Sequence, residues 1–348
     1  MRRVPLIFWI PLKALSTLFG VITRARNYLY DRAILRSYVS SLRVVSVGNL
    51  TVGGNGKTPL CLYIVEALKQ RGLKPVILSR GYGGTLKGPH IVQPTDSARS
   101  VGDEPLLMAL TSGVPVVISR SRAAGARLIE REGLGDVIIL DDGFQHRKLA
   151  RQWDILSAFV GTEDSVESFC AGEVLPLGRF REDRDAGLRR ASIFVASFRR
   201  TISAGGEVPA VDERVLAQVP AGVPVFRSVY ESIGVRSLND GSSISPRSVI
   251  AFAGIANPQG FFTSLEETGF EVVRRYEFAD HHAFSEHEVA RLVEEHPGAL
   301  FVCTEKDGVK IREMSDRIRS SFAEFRVRLK VVPSDSFIVS ILRVIQRG

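Results

Sequence analysis

Cysteine is scarce. Cys61, Cys170 and Cys303 are the three in 348 residues, and they lie far apart in apolar stretches. That spacing excludes a disulfide framework and a structural zinc site, and a reducing cytoplasmic environment is the simpler inference. The six histidines include no H-E-x-x-H or comparable spacing, which leaves zinc-hydrolase chemistry without a basis. Zinc-finger spacing, an RNA-binding aromatic motif and a long lysine run are also missing, so nucleic acid is not an expected partner despite a formal net charge of +8. That cationic excess fits an anionic substrate or anionic lipid better. Internal repeats and low-complexity tracts are absent too. The remainder is ordinary for a folded chain, with 45% hydrophobic and 24% charged residues and enough length for two domains with full cores.

A long uninterrupted apolar run is another absence. Residues 6 to 22 are almost wholly apolar, but Pro11 and Lys13 interrupt them and Arg2, Arg3, Arg24 and Arg26 flank them. The run falls short of the about 20 apolar residues that cross a bilayer. Bulky residues such as Phe19 and Tyr28 replace the small-residue cleavage site of a secretory signal. Two readings stay open for residues 1 to 30. One is a membrane-associating helix lying in the surface, with Phe8 and Trp9 inserted and arginines meeting anionic headgroups; the other is a buried N-terminal core helix.

What the chain does have is a phosphate-cradling turn. Gly53-Gly54-Asn55-Gly56-Lys57-Thr58 follows the apolar strand residues Val44, Val45 and Val47. It precedes a helix at 59 to 69 with Leu60, Ile64, Val65 and Leu68 at helical spacing. Glycines turn tightly and aim consecutive N–H groups at phosphate oxygens. Lys57 would neutralise the β- and γ-phosphates of a nucleoside triphosphate, and the Thr58 hydroxyl would ligate Mg²⁺. Pro59 fits a first helical turn. The pattern G-x-x-x-x-G-K-[ST] asks for glycine at position 51, where this chain has Thr51. The plainer alternative is an ordinary strand-to-helix turn.

Beyond it, strands and helices alternate as in a P-loop NTPase-like α/β fold, a parallel sheet with helices on both faces. Strands at 75–78 and 114–118 lead to Ser79-Arg80-Gly81-Tyr82-Gly83-Gly84 and Ser119-Arg120-Ser121-Arg122. Arginine is thereby set at carboxyl strand ends, where open α/β sheets bind ligands and where guanidinium can hold phosphate. Arg80 is the stronger candidate; Arg122 is weighed evenly against a salt bridge. The run 137–140 ends in Asp141-Asp142, the form of a Walker B strand whose carboxylate helps hold Mg²⁺. Asp103 and Glu104 precede a helix whose expected apolar face carries Leu106, Leu107 and Leu110. They fit two roles, capping of that helix and metal or acid–base work. His146 in a polar loop is a site candidate or a structural histidine. Asp280-His281-His282 sets a carboxylate beside imidazole, a means of tuning a proton acceptor near neutral pH.

Turn chemistry divides the rest. Residues 224–230 and 233–238 alternate like a hairpin and Asn239-Asp240-Gly241-Ser242 is a turn cluster. The expected organisation is a P-loop domain at 31–222, a hairpin linker at 223–247 and a smaller α/β domain at 248–348. Strands are expected there at 249–253, 299–303 and 328–332, with a final helix at 336–346 that fits against either domain.

Taken in order, Val47-Gly48-Asn49, the glycine-rich turn, Ser79 to Gly84, Gly102-Asp103-Glu104-Pro105, Asp141-Asp142-Gly143-Phe144-Gln145-His146, Phe278-Ala279-Asp280-His281 and Thr304-Glu305-Lys306-Asp307 resemble the tetraacyldisaccharide 4'-kinase (lipid A 4'-kinase) family over nearly the whole chain. Thr51 is normal for that family. The resemblance implies ATP-dependent phosphorylation of the 4'-hydroxyl of a tetraacylated glucosamine disaccharide 1-phosphate, with Mg²⁺, at the cytoplasmic face of the inner membrane of a Gram-negative bacterium. It also implies two domains joined by a two-stranded linker and closing over the nucleotide, with no obligate protein partner. By the same likeness Asp103 takes the hydroxyl proton with His281 pairing from the second domain. Lys57 and Arg80 stabilise phosphate charge, and Thr58, Glu104, Asp141 and Asp142 organise Mg²⁺. Gly53, Gly54, Asn55, Gly56, Glu305, Lys306 and Asp307 would contact nucleotide. Asn49, Tyr82, Arg122, His146 and Arg181 would contact the acceptor, with Arg179 an alternative to Arg181.

Two rivals differ in class. A P-loop GTPase or ATPase of the metallochaperone or protein-targeting type commonly has a second lysine early in the loop, where this chain has Val52; partner-stimulated hydrolysis would mark it. A non-enzymatic lipid-binding module would bind vesicles without binding nucleotide.

Overall fold

The computed structural model describes residues 6–53, 56–202 and 206–346. Its strands join in one sheet, ordered His90–Ile91, Val116–Ile118, Pro75–Ser79, Val137–Asp141, Arg43–Gly48, Trp153–Phe159, Ile193–Ile202, Val225–Ser237, Phe322–Val332, Phe301–Thr304, Ser248–Ala253 and Glu271–Glu277. The strands from Val116–Ile118 to Val225–Ser237 pair in parallel. Buried on both faces, Arg43–Gly48, Pro75–Ser79, Val116–Ile118 and Val137–Asp141 read as near-continuous apolar runs, as central parallel strands do. Their carboxyl ends therefore share one edge, and the loops after Gly48, Ser79, Ile118 and Asp141 gather there.

Helix Lys57–Lys69 turns Leu60, Ile64, Val65 and Leu68 into the core, as its spacing predicts, beside Leu106 and Met108 of helix Asp103–Ser112. Leu110, expected on that apolar face, is 43% exposed. The final helix Ser334–Gln346 joins this same core through Phe337, Ile338 and Ile341. Phe337 packs edge-on to Phe226 and tilted on Tyr63, so the chain ends against its first half after building its second.

The hairpin expected between residues 224–230 and 233–238 is not formed. Val225–Ser237 is one strand of 13 residues that pairs in parallel with Ile193–Ile202 at its start and antiparallel with Phe322–Val332 along its length. Its register slips where Gly234 and Ser232 face Arg326 and Val327, leaving Ile233 unpaired. That extra residue interrupts the period-2 alternation and mimics a turn in the sequence. The turn at 239–242 leads only to Ser243–Ile244, which pairs back on the same strand. Two strands nearly a hundred residues apart thus connect the halves. Beyond them Phe301–Thr304, Ser248–Ala253 and Glu271–Glu277 continue in parallel around an aromatic core that includes Phe252, Phe301 and Phe322.

Helix Leu6–Asp31 is inverted relative to a core helix. Ser16, Gly20, Thr23 and Asn27, spaced 4, 3 and 4 apart on one stripe, face the protein. Leu15, Leu18, Val21 and Ile22 are each more than half exposed. Ser16 donates to the Val174 carbonyl, Arg24 pairs with Asp183, and Asn27 donates to Glu182. The buried-core-helix alternative is therefore overturned, because the apolar side is the outer one. Among the described residues, no helix is long and apolar enough to cross a membrane.

Candidate active site

The gathered strand ends and the second half of the molecule enclose a cavity of about 1640 Å³. Gly53, Gly56, Lys57, Thr58, Arg80, Tyr82, Glu104, Asp141, Asp142, Arg181, His281, Glu305 and Lys306 all line it. Gly54 and Asn55 lie outside the described residues.

Gly56 precedes the helix in a left-handed conformation with φ 70°, open to glycine at little cost. Lys57 at the first turn reaches Asp142 at 3.4 Å. Asp142 itself has φ 45°, an uncommon conformation for a residue with a side chain. The twist separates two adjacent carboxylates. Asp141 points inward to accept from Ser79 Oγ at 2.9 Å, while Asp142 meets Lys57 and, at 3.1 Å, Arg181. Burial, and then the charges of Glu104 and Asp142, push the Asp141 carboxyl up to about 6. Burial would raise Asp142 as well, but Lys57 and Arg181 outweigh it and hold it below the usual range.

The second acidic cluster is tied across the cleft. Asp103 opens helix Asp103–Ser112 and is 5% exposed. His281, from the loop after Glu271–Glu277, places Nδ1 2.9 Å from Asp103 Oδ2. The ring adopts this position with a left-handed backbone, φ 60°, and the Tyr82 ring stands edge-on to it at 5.5 Å. Lys310 and Lys306 approach the same carboxylate at 3.6 and 3.8 Å. Burial alone would raise Asp103; the His281 hydrogen bond and these cations reverse the sign. The same hydrogen bond raises His281 above the ordinary imidazole value against burial and the Lys306 charge. Asp103 sits behind His281, so the imidazole is the member of the pair facing the cavity.

Several expected contacts take other roles. Asn49 is fully buried; its side-chain amide donates to the Gly53 carbonyl at 3.4 Å and its backbone carbonyl accepts from the Gln145 side chain. It braces the phosphate loop and cannot touch an acceptor. Arg122 is 3% exposed and donates to the Ser119 carbonyl; burial lowers it to about 10. It supports the acidic strand end from beneath. Burial, with the Arg122 charge next, lowers His146 to about 4, which makes it a neutral ring, and it does not line the cavity. Asp307 is fully buried, accepting from Gly254 N at 3.0 Å and Thr304 Oγ1 at 2.7 Å, so it anchors its loop and does not meet nucleotide. Lys306 points to the Asp103–His281 pair, away from a base-binding role. Glu305 lines the cavity beside Arg326 and the Val327 amide.

Sequence reading missed Glu182. It is 1% exposed and accepts from Asn27, Gln145 and Arg190, linking the N-terminal helix to the loop after Asp142. Embedded in an arginine-rich run, it reads as solvated surface; the polar stripe ending in Asn27 was the available signal.

The donors fit Mg²⁺. Thr58, Glu104, Asp141 and Asp142 offer hard oxygens to one cavity. Among the described residues, no three His, Cys, Asp or Glu side chains form a ready-made metal cage. Mg²⁺ needs none, since one or two carboxylates, water and phosphate oxygens complete its shell.

A family model for tetraacyldisaccharide-1-P 4'-kinase matches residues 8–346. The chain belongs to that family. It is 35% identical to the tetraacyldisaccharide 4'-kinase of Syntrophus aciditrophicus over 98% of this chain and 94% of that one. It is 38% identical to that of Aeromonas salmonicida over 85% and 82%. A crystal structure of apo-form LpxK from Aquifex aeolicus in complex with ATP superposes with a TM-score of 0.75 at 29% identity, over 96% of this chain and 98% of that one. The P-loop-type α/β fold read from the sequence is thus the fold of the 4'-kinase family, and neither rival class is favoured.

Proposed function

We propose that this 4'-kinase family member transfers the γ-phosphoryl group of ATP to the 4'-hydroxyl of tetraacyldisaccharide 1-phosphate, the step that forms lipid IVA. The observation that carries the reading is the placement of the Asp103–His281 pair at the cavity that also holds Lys57 and Asp142. Phosphoryl transfer needs alignment, charge neutralisation and a destination for the hydroxyl proton. Lys57 and Arg80 supply positive charge toward the phosphates. Thr58, Glu104, Asp141 and Asp142 would hold Mg²⁺, which would supply neutralisation of the phosphate charge. The Asp103–His281 pair takes up the proton as one unit. Because the pair joins the two halves of the molecule, its formation is linked to cleft closure. Arg181 and Tyr82 are the residues offered to the acceptor's sugar and phosphate.

The outward apolar stripe of helix Leu6–Asp31 fits an acceptor that resides in a membrane. We infer that Leu15, Leu18, Val21 and Ile22 enter the lipid surface, placing the enzyme peripherally on the cytoplasmic face. The test is transfer of labelled γ-phosphate to purified acceptor in mixed micelles with Mg²⁺. A labelled lipid product is expected; hydrolysis to inorganic phosphate indifferent to acceptor would refute the reading.

A further inference from the structure

Asp141 and Asp142 are adjacent carboxylates with unlike company. Asp142 meets two cations, Lys57 at 3.4 Å and Arg181 at 3.1 Å. Asp141, 3% exposed, is gripped by two uncharged donors. Ser79 Oγ donates to its Oδ2 at 2.9 Å, and the Cys61 thiol donates to its Oδ1 at 3.7 Å. Strand register produces this grip. Pro75–Ser79 and Val137–Asp141 pair in parallel with Leu78 beside Leu140, so Ser79 and Asp141 end the two strands as neighbours. Side chains alternate across a sheet. Leu78 and Leu140 enter one core, whereas Ile77 and Ile139 share the other with Leu60 and Cys61 of helix Lys57–Lys69. Ser79 and Asp141, two residues on from Ile77 and Ile139, face that same helix, where Cys61 stands one turn after Lys57.

We propose that Ser79 is a positioning residue for the divalent cation: its hydroxyl, with the Cys61 thiol at the other oxygen, fixes the rotation of the Asp141 carboxylate and keeps its remaining lone pairs for the cation. The inference rests on the Mg²⁺ assignment above. A carboxylate offers about four lone-pair sites. Each Asp141 oxygen uses one on its donor, and the others stay open in a wall of the cavity that Ser79 and Asp141 share. The donors' lack of charge is what matters. A lysine or arginine in place of Ser79 would orient the carboxylate as well, but would offset the negative charge that attracts a cation, as Lys57 and Arg181 partly do at Asp142. Serine orients and leaves the charge in place. The two donors are unequal, because a thiol donates weakly, so the hydroxyl carries the greater part of the hold.

Mn²⁺ binding to the full-length protein saturated with a non-hydrolysable ATP analogue, followed by the paramagnetic resonance of the free ion, reads the proposal without turnover. Ser79→Ala should weaken Mn²⁺ binding by about tenfold or more, while affinity for the analogue in EDTA stays within about twofold of the parent's. Ser79→Cys keeps a weak donor in nearly the same volume and should show a smaller loss of the same kind; it carries the test if Ser79→Ala does not fold. Cys61→Ser, which strengthens the other donor, should bind Mn²⁺ at least as tightly as the parent. Parent-like Mn²⁺ affinity in whichever Ser79 variant folds, or a loss matched by an equal loss of the analogue in EDTA, would overturn the proposal. A parent protein that binds the analogue without Mn²⁺ would overturn it together with the cation assignment. A parent that binds both but leaves the lipid unphosphorylated would instead remove the kinase reading, and a weakened Ser79→Ala would still support the positioning of Asp141.

Discussion

Replacing Asp103 with asparagine isolates the charge from the shape. The amide can still accept from the Glu104 backbone N–H, which lies 3.0 Å from Oδ1, so the helix start should survive. What disappears is the counter-charge for His281 at 2.9 Å, Lys310 at 3.6 Å and Lys306 at 3.8 Å. Breaking a buried ion pair outright costs about 3–5 kcal/mol, but Lys306 retains Glu104 and Asp280, and Lys310 retains Asp307. A stability loss of roughly 1–3 kcal/mol is therefore expected. Loss of the proton acceptor should lower kcat by about 10²–10⁴, equivalent to about 2.7–5.4 kcal/mol of transition-state stabilisation. Lys57 and Arg80 are untouched, so nucleotide affinity should remain within about threefold. Single-turnover transfer of labelled phosphate with saturating acceptor, alongside direct nucleotide binding, separates the two effects. A variant that turns over within about fivefold of the parent, or whose whole deficit lies in nucleotide affinity, would refute the assignment of proton uptake to this pair.

Other outcomes follow from the same coordinates. Asp103 is lowered in the folded state, so its contribution appears above about pH 4; His281 is raised, so its contribution is complete below about pH 6.5 and fades as pH rises through its folded value. His281→Ala should therefore destabilise more at pH 6 than at pH 8.5 in urea unfolding, and an equal loss at both would contradict the tie. A Cβ at Gly56 would come within 3.2 Å of the Tyr230 hydroxyl in a left-handed backbone, so Gly56→Ala should weaken ATP binding by about tenfold or more in calorimetry. Leu18→Asp with Ile22→Asp should abolish sedimentation with anionic vesicles and leave nucleotide binding unchanged, because both side chains face outward. Phe337→Ala should cost about 3–5 kcal/mol, since that ring is fully buried between Tyr63 and Phe226; a loss under about 1 kcal/mol would mean the last helix is not docked there.

Local chemistry made much of this molecule readable before its coordinates. Gly56-Lys57-Thr58 between a valine strand and an amphipathic helix marked the strand-to-helix turn that lines the cavity, despite Thr51. The Val137–Asp141 strand announced itself by continuous apolarity that ends in acid. Long-range pairing was less legible: the partner of Val225–Ser237 lies at Phe322–Val332, and the bulge at Ile233 imitated a turn. The Thr304 to Asp307 motif looked like one binding element, yet the fold splits it. Thr304 caps its helix, Glu305 enters the cavity, Lys306 meets the imidazole and Asp307 is sealed in the core. Adjacent residues at a helix start point in different directions, and sequence adjacency carries no record of which way each one turns.

One cavity must serve both the triphosphate and the sugar hydroxyl. The most direct test is a crystal structure with a non-hydrolysable ATP analogue, Mg²⁺ and the tetraacyl disaccharide 1-phosphate. It should place the β- and γ-phosphates on Lys57 and the glycine turn, with the 4'-oxygen in line with the γ-phosphorus and beside the Asp103–His281 pair. A triphosphate bound elsewhere, or a 4'-oxygen remote from that pair with the cleft closed, would contradict it.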